Sequence, residues 1–244
     1  MLLNKCLQIV KTVIKEWLSS LAGMFFPEVC EICGKSLVEG EKVLCSHCNM
    51  KMSRTNFHLS TDNELLNRLV CHARIYKAAS MYYYVREDPY SKLIHKLKYN
   101  HQKQIGEELA AMFAEEIKSS GFFDDIDLLL PVPMHWWKEI RRGYNQSRII
   151  AEGISRVTGI PICSNLVAQK SHSTQTRKDS YGRWLNAEGI FEVVCPEELD
   201  GKHVLVIDDV ITTGATVIHC CEAIDAVAPM CKISVLSLAT TRLA

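Results

Sequence analysis

The sequence predicts an α/β protein: a mostly parallel sheet covered by helices on both faces, with a small metal-binding module in front. Short apolar runs, IDLLLPVP at 126–133, HVLVIDD at 203–209 and KISVLSLAT at 232–240, alternate with amphipathic stretches such as NQSRIIAEGISRVTG at 145–159. Strands apolar along their whole length are buried on both faces, and strands separated by helices run parallel. Near the front, two CxxC pairs lie close enough together to share one metal ion. A chain of 244 residues accommodates one large domain and a small module.

Composition narrows the function classes. Lys plus Arg equals Asp plus Glu at 28 each, so no global basic field draws the chain to nucleic acid or to a membrane. At the N-terminus, Lys11, Lys15 and Glu16 interrupt the apolar residues, and no uncharged run reaches the ~18 residues needed to span a bilayer. Leu3, Leu7, Val10, Ile14, Trp17, Leu18 and Leu21 recur at helical spacing, which predicts an amphipathic helix over 1–27. Such a stripe either docks on the protein body or contacts a membrane surface or a partner. The expectation is a cytoplasmic protein with no integral membrane segment. In that compartment the eleven cysteines form no disulfide framework. Cys6, Cys71, Cys163, Cys195, Cys220, Cys221 and Cys231 read as buried small hydrophobes.

Cys30, Cys33, Cys45 and Cys48 form two CxxC pairs separated by eleven residues, within a module expected over 28–58. Each pair delivers two thiolates from a tight knuckle, and Gly34 suits the first turn. KSLVEGEKVL at 35–44 reads as a short hairpin with Gly40 at its tip. Four sulfurs close a tetrahedral Zn²⁺ site with no open position, so the expected zinc is structural. Free thiols or a redox pair are the alternative, and His47 could stand in for one cysteine.

The large domain is expected over 74–244. YKAASMYYYV at 76–85 reads as strand and SKLIHKLKYNHQKQIGEELAAMFAEEIKSSG at 91–121 as one helix with Leu109, Met112, Phe113 and Ile117 on one face. Lys92, Lys96, Lys98 and Lys103 within it form either a solvated face or a basic rim over an anionic ligand. NLVAQK at 165–170 and IFEVV at 190–194 read as further strands, and TGATVIHCCEAIDAVA at 213–228 as a helix.

VLVIDDVITTGAT at 204–216 carries the chemistry. Asp208 and Asp209 should emerge at the carboxyl end of a central strand, where such sheets bind ligands. Two carboxylates there accept hydrogen bonds from a vicinal diol or face a divalent cation. The backbone N–H groups of ITTGAT, the Thr212, Thr213 and Thr216 hydroxyls and a following helix make an anion cradle, and Gly214 lets the phosphate approach. Diol site and phosphate site lie about one sugar ring apart, which implies a ribose 5-phosphate. A capped helix after an acidic turn is the plainer alternative.

VLVIDDVITTGAT resembles the phosphoribosyl pyrophosphate signature of type I phosphoribosyltransferases. With the cysteine module, LKY at 97–99, PVP at 131–133, RRGYNQS at 141–147 and the series Gln175, Arg183, Asn186 and Phe191, nearly the whole chain resembles the ComF family. That resemblance implies a type I phosphoribosyltransferase fold with hood elements at about 74–122, an N-terminal four-cysteine zinc ribbon, and a part in natural competence and DNA uptake. Carried over by position, Asp208 and Asp209 bind the ribose hydroxyls directly or with Mg²⁺. Ile211, Thr212, Thr213, Gly214, Ala215 and Thr216 wrap the 5-phosphate. The turn through Val132 and Pro133 is the pyrophosphate loop. Lys138, Arg141, Arg142, Asn145 and Gln146 follow it, with cationic side chains suited to a diphosphate leaving group, or else serve as surface charges and a helix cap.

The polar stretch over about 170–189 is too long for a plain connection and reads as a flexible loop, a lid or a disordered segment. By the same resemblance it closes over the donor, with Arg177 and Lys178 on the diphosphate and Arg183 and Asn186 ordering the loop or the acceptor side. The expected activity is phosphoribosyl transfer to an acceptor the sequence does not name. Tyr82, Tyr83, Tyr84, Tyr90 and Trp136 could stack a base or pack a core, and His95, His101, His135 and His172 could serve as bases. The rival is a non-catalytic competence factor that senses the same ligand and binds single-stranded DNA or a helicase.

Overall fold

A computed structural model describes residues 28–99, 102–168 and 190–242. The amphipathic helix expected over 1–27 and the loop expected over about 170–189 lie outside the described residues. The chain divides into two compact units, Met1–Met52 and Ser53–Ala244.

In the first unit the two cysteine knuckles form as their spacing requires. The Gly34 N–H donates to the Cys30 carbonyl at 2.9 Å, with Gly34 at a φ of +71°. Cys45 precedes a short helix, α1, Ser46–Lys51. The Glu41 carboxylate accepts from both the Ser46 N–H and hydroxyl at 2.6 Å, fixing the approach to that helix. The hairpin expected over 35–44 is absent as a strand ladder: a turn forms at Gly40, but the bridge here joins Val29 to Ser36 around the first knuckle. The path of this short module follows the two cysteine knuckles and not a strand ladder.

The second unit is built on a four-stranded sheet, β1 Ala78–Tyr83, β2 Leu128–Pro131, β5 His203–Ile211 and β6 Lys232–Thr240, in the order β1-β6-β5-β2 and parallel throughout. β5 and β6 sit centrally and are buried along nearly their whole length, which explains the apolar run Val204–Ile207 and the predominance of apolar residues in β6. Val204, Val206, Ile233 and Val235 pack with α2 (Glu64–Val70) and α7 (Ala215–Val227) in one core. Residues alternate across a strand, so Leu205, Ile207 and Leu236 serve the opposite face, against which α4 (Lys103–Lys118) and α6 (Gln146–Thr158) lie. α4 and α6 approach so closely that a Cβ on Gly153 would meet the Glu107 carbonyl oxygen at 2.2 Å. Only glycine permits that contact.

Several expectations change. The helix expected over 91–121 is two: α3 (Ser91–Tyr99) ends before α4 begins, and Gln102, with φ −91° and ψ 66°, has left helical geometry. Leu109, Phe113 and Ile117 are buried as expected, and Met112 is half-buried. The strands at 166–168 and 191–193, β3 and β4, stand apart from the main sheet as an antiparallel pair, with Leu166 opposite Val193. Cys220, Cys221 and Cys231 are buried, whereas Cys71 is exposed and Cys163 and Cys195 are half-buried. Tyr82 and Tyr90 are core residues, at 1% and 9% exposure, so neither can stack a ligand base.

Candidate functional site

β5 continues to Ile211, so Asp208 and Asp209 lie within the strand's last residues and not just beyond its end. Their side chains leave on opposite sides. The Asp208 carboxylate accepts from the Ser147 hydroxyl at 3.1 Å and from the Asp209 N–H at 2.8 Å. Asp209, 8% exposed, pairs with Lys98 of α3, Nζ to Oδ2 at 3.0 Å. Burial, and next the charge of Asp209, push the Asp208 carboxyl up to about 7, against the opposing help of the Asp209 N–H, Ser147 and Lys98. Three cations, Lys98, Lys138 and Arg142, share the cavity with these two adjacent carboxylates. The hard oxygen donors of the carboxylates fit Mg²⁺.

A cavity of about 440 Å³ opens here, at the carboxyl ends of β2 and β5. Beyond β2 the chain runs through Val132, Pro133 and His135 into α5 (Trp136–Arg142), a helix with no buried residue. Gly143, in the left-handed region at φ +79°, ends it, and Asn145 caps α6. Asn145 does two things at once: its Oδ1 accepts from the Ser147 N–H at 3.0 Å, and its Nδ2 donates to the Val132 carbonyl at 2.9 Å. That ties the end of β2 to the start of α6 and aims Ser147 at Asp208. Gln146 is 1% exposed; its Oε1 accepts from Arg142 at 2.9 Å, while its Nε2 is buried without a hydrogen-bond partner.

Among the expected site residues, Pro133, Arg142, Asn145, Gln146, Asp208, Asp209 and Thr216 line this cavity, with Lys98 and Lys138. Val132 lines it too but is mostly core, and Arg141 is exposed outside the lining. Ile211 is buried beneath the loop, with its carbonyl held by the Thr240 hydroxyl at 2.9 Å. Thr212 and Thr213 are exposed on the loop before α7, and Ala215 is exposed at the first position of that helix. Gly214 has a stronger reason than ligand access. Its φ is +90°, and an added Cβ would sit 2.5 Å from Leu69 Cδ2. Arg177, Lys178, Arg183 and Asn186, and with them His101 and His172, lie outside the described residues.

Ser147 entered the sequence reading only as part of RRGYNQS and of the helix over 145–159, and Lys98 only as part of LKY and as one of four lysines. Arg68 and Leu69, which touch the 212–214 loop, carried no local signal at all.

In the first unit, the sulfurs of Cys30, Cys33, Cys45 and Cys48 all lie within 4.8 Å of one another. The Cys33 and Cys45 sulfurs are 3.7 Å apart. A tetrahedron with Zn–S bonds of about 2.3 Å has edges of about 3.8 Å. Burial raises the Cys30 thiol, but the N–H groups of Cys33, Cys45 and Ile32 outweigh it and bring the thiol down to about 6. Burial and the neighbouring sulfurs push Cys48 up to about 12. The cluster can hold a metal such as zinc.

The phosphoribosyl transferase domain family matches residues 99–242. The chain belongs to that family. The matched domain contains the cavity lining apart from Lys98, with Asp208, Asp209 and the loop before α7, whereas α2 and β1 precede it. Among curated relatives, Competence protein F of Haemophilus influenzae is 31% identical over 134 residues, which span 53% of this chain and 58% of that protein. DNA utilization protein YhgH of Escherichia coli is 26% identical over 78% of this chain and 80% of its own. Competence protein ComFC of Bacillus subtilis is 25% identical over 77% and 68%. A solved glutamine phosphoribosylpyrophosphate amidotransferase from Bacillus subtilis superposes on 59% of this chain and 30% of its own, at 19% identity and a TM-score of 0.38. Among the described residues, no helix is long and apolar enough to cross a membrane.

Proposed function

We propose that the phosphoribosyl transferase domain binds phosphoribosyl pyrophosphate with Mg²⁺ and transfers the phosphoribosyl group to an acceptor. One observation carries this reading: a single cavity is lined by the Asp208–Asp209 pair, by Thr216 at the start of α7, and by Lys138 and Arg142. These are the partners for a ribose diol, a 5-phosphate and a diphosphate. In the transfer, the bond from C1 to the diphosphate oxygen breaks and its electron pair leaves with the diphosphate. The acceptor's lone pair forms the new bond at C1, and its proton passes to solvent. Mg²⁺, held by Asp208 and Asp209, would supply charge neutralisation at the diphosphate. Lys138 and Arg142 oppose the same developing charge, and Val132, Pro133 and Phe191 supply apolar parts of the cavity wall.

The relatives' names support a part for this activity in competence and DNA use. Those names state no enzyme activity, which leaves room for a second reading, in which the domain binds the donor as a sensor without turnover. Calorimetry with phosphoribosyl pyrophosphate and Mg²⁺ tests the shared step. Saturable binding is expected, lost at least about tenfold in the Asp208→Asn, Asp209→Asn double variant. Absence of binding to the wild-type protein sinks both readings. Release of pyrophosphate that depends on an added acceptor then separates enzyme from sensor.

A further inference from the structure

We propose that Arg68, on α2 and upstream of the matched family domain, is a positioning residue that sets the anion loop for the donor's 5-phosphate; this rests on the proposed donor site. Its side chain is 9% exposed. Its Nη1 donates to the Thr212 carbonyl, and its Nη2 donates to the Thr241 carbonyl at 2.7 Å and to Glu64 Oε1 at 3.1 Å. One planar guanidinium therefore bridges the loop after β5 and the end of β6, while the Glu64 carboxylate, one turn earlier on α2, orients it.

The Thr212 carbonyl is pinned twice, since the Thr241 hydroxyl also donates to it at 3.3 Å. A trans peptide holds its C=O and the next N–H on opposite sides of the bond. Pulling the Thr212 oxygen toward Arg68 therefore turns the Thr213 N–H the other way, away from α2. The N–H groups of Thr213 and Gly214 come before α7, where no intrahelical acceptor exists for them. Leu69, the next residue on α2, packs against Gly214 and holds the loop's other end in its left-handed turn. Arg68 and Leu69 together thus dictate the direction in which the loop presents its donors, which is the requirement for preorganised anion binding. An arginine is suited to this: lysine, a point charge, cannot bridge two carbonyls in a fixed plane.

The test compares two probes of the proposed site by calorimetry on the full chain: ribose 5-phosphate, which needs the loop, and inorganic pyrophosphate, which does not. Arg68→Gln should weaken ribose 5-phosphate binding roughly tenfold or more. Pyrophosphate binding should stay within about twofold. Arg68→Lys should recover only part of the loss. A loss of folding would lower both affinities together, so the ratio separates positioning from mere stability. Should Arg68→Gln fail to fold, Glu64→Gln, which leaves the arginine but removes its orienting carboxylate, should shift the same ratio by a smaller factor. Equal binding of ribose 5-phosphate by a folded Arg68→Gln protein and by wild type overturns the inference alone. Failure of the wild-type protein to bind either probe overturns the donor-site reading and the inference with it.

Discussion

Lys98 and Asp209 face each other across the candidate site, Nζ to Oδ2 at 3.0 Å, with the carboxylate 11% exposed and the ammonium 27% exposed. A divalent cation bound at the Asp208–Asp209 pair of the proposed donor site would compete with this lysine for Asp209. Lys98→Met should therefore tighten the binding of Mn²⁺ alone to zinc-replete protein several-fold, because no internal cation competes for Asp209. The same variant should lose about 1–3 kcal/mol of stability, since it leaves a mostly buried carboxylate without its counter-charge. Paramagnetic titration of Mn²⁺ reads the first effect and thermal unfolding the second. Unchanged or weaker Mn²⁺ binding rules out the competition.

Gly214→Ala should be destabilising by about 1–3 kcal/mol. Two penalties combine: a φ of +90° for a residue with a Cβ, and a contact of 2.5 Å with Leu69 Cδ2. Adding Leu69→Ala should relieve the steric part and leave the backbone part, so the double variant should be less destabilised than the sum of the single ones. Strict additivity in denaturant unfolding would mean that the two residues do not press on each other.

At the opposite end of β5, His203 is 4% exposed, with Nδ1 at 3.1 Å from Asp125 and Nε2 at 2.8 Å from the Ser234 hydroxyl. A neutral ring with its proton on Nδ1 donates to Asp125 and accepts from Ser234, so both nitrogens are satisfied. Burial first of all holds the imidazole below its usual value of 6.5, outweighing the nearby Asp125 carboxylate, while Lys77 and Lys232 reinforce the shift. A folded pKa below the unfolded one means stability that is present above pH 6.5 and lost as pH falls through the folded value. The melting temperature should accordingly fall more steeply below pH 6.5 in wild type than in His203→Gln. Parallel profiles would show that the histidine's charge does not matter there.

Removal of metal from the four-cysteine cluster should unfold the first unit, because so short a segment draws its folding energy from the ion. Elemental measurement should find about one zinc per chain. Chelation should release it with loss of structure over 28–52, seen as fast amide exchange there, while the central strands of the sheet stay protected. Zinc well below one per chain, or protection over 28–52 unaffected by chelation, is the contrary result.

Much of the fold was legible because its signals are local. The apolar run at 204–207 and the mostly apolar 233–239 mark strands buried on both faces, and Gly159 marks the end of α6. The single long helix expected over 91–121 was misread for the same reason. No Gly or Pro interrupts 99–103, and nothing in the pattern shows Gln102 leaving helical geometry. The base-stacking role considered for Tyr82 and Tyr90 fell to burial, which propensity does not report.

The sequence by itself determined the four-cysteine cluster and the strand–loop–helix unit that carries Asp208, Asp209, Gly214 and Thr216. In both, residue type and spacing along a few turns of chain already impose the geometry: a knuckle that brings sulfurs together, a strand that sends adjacent carboxylates to opposite sides. Only the tertiary structure decided what surrounds them. Ser147 reaches Asp208 across 61 positions and Arg68 reaches Thr212 across 144. Such partnerships depend on how helices pack against the sheet, a property of burial and shape that no local spacing encodes.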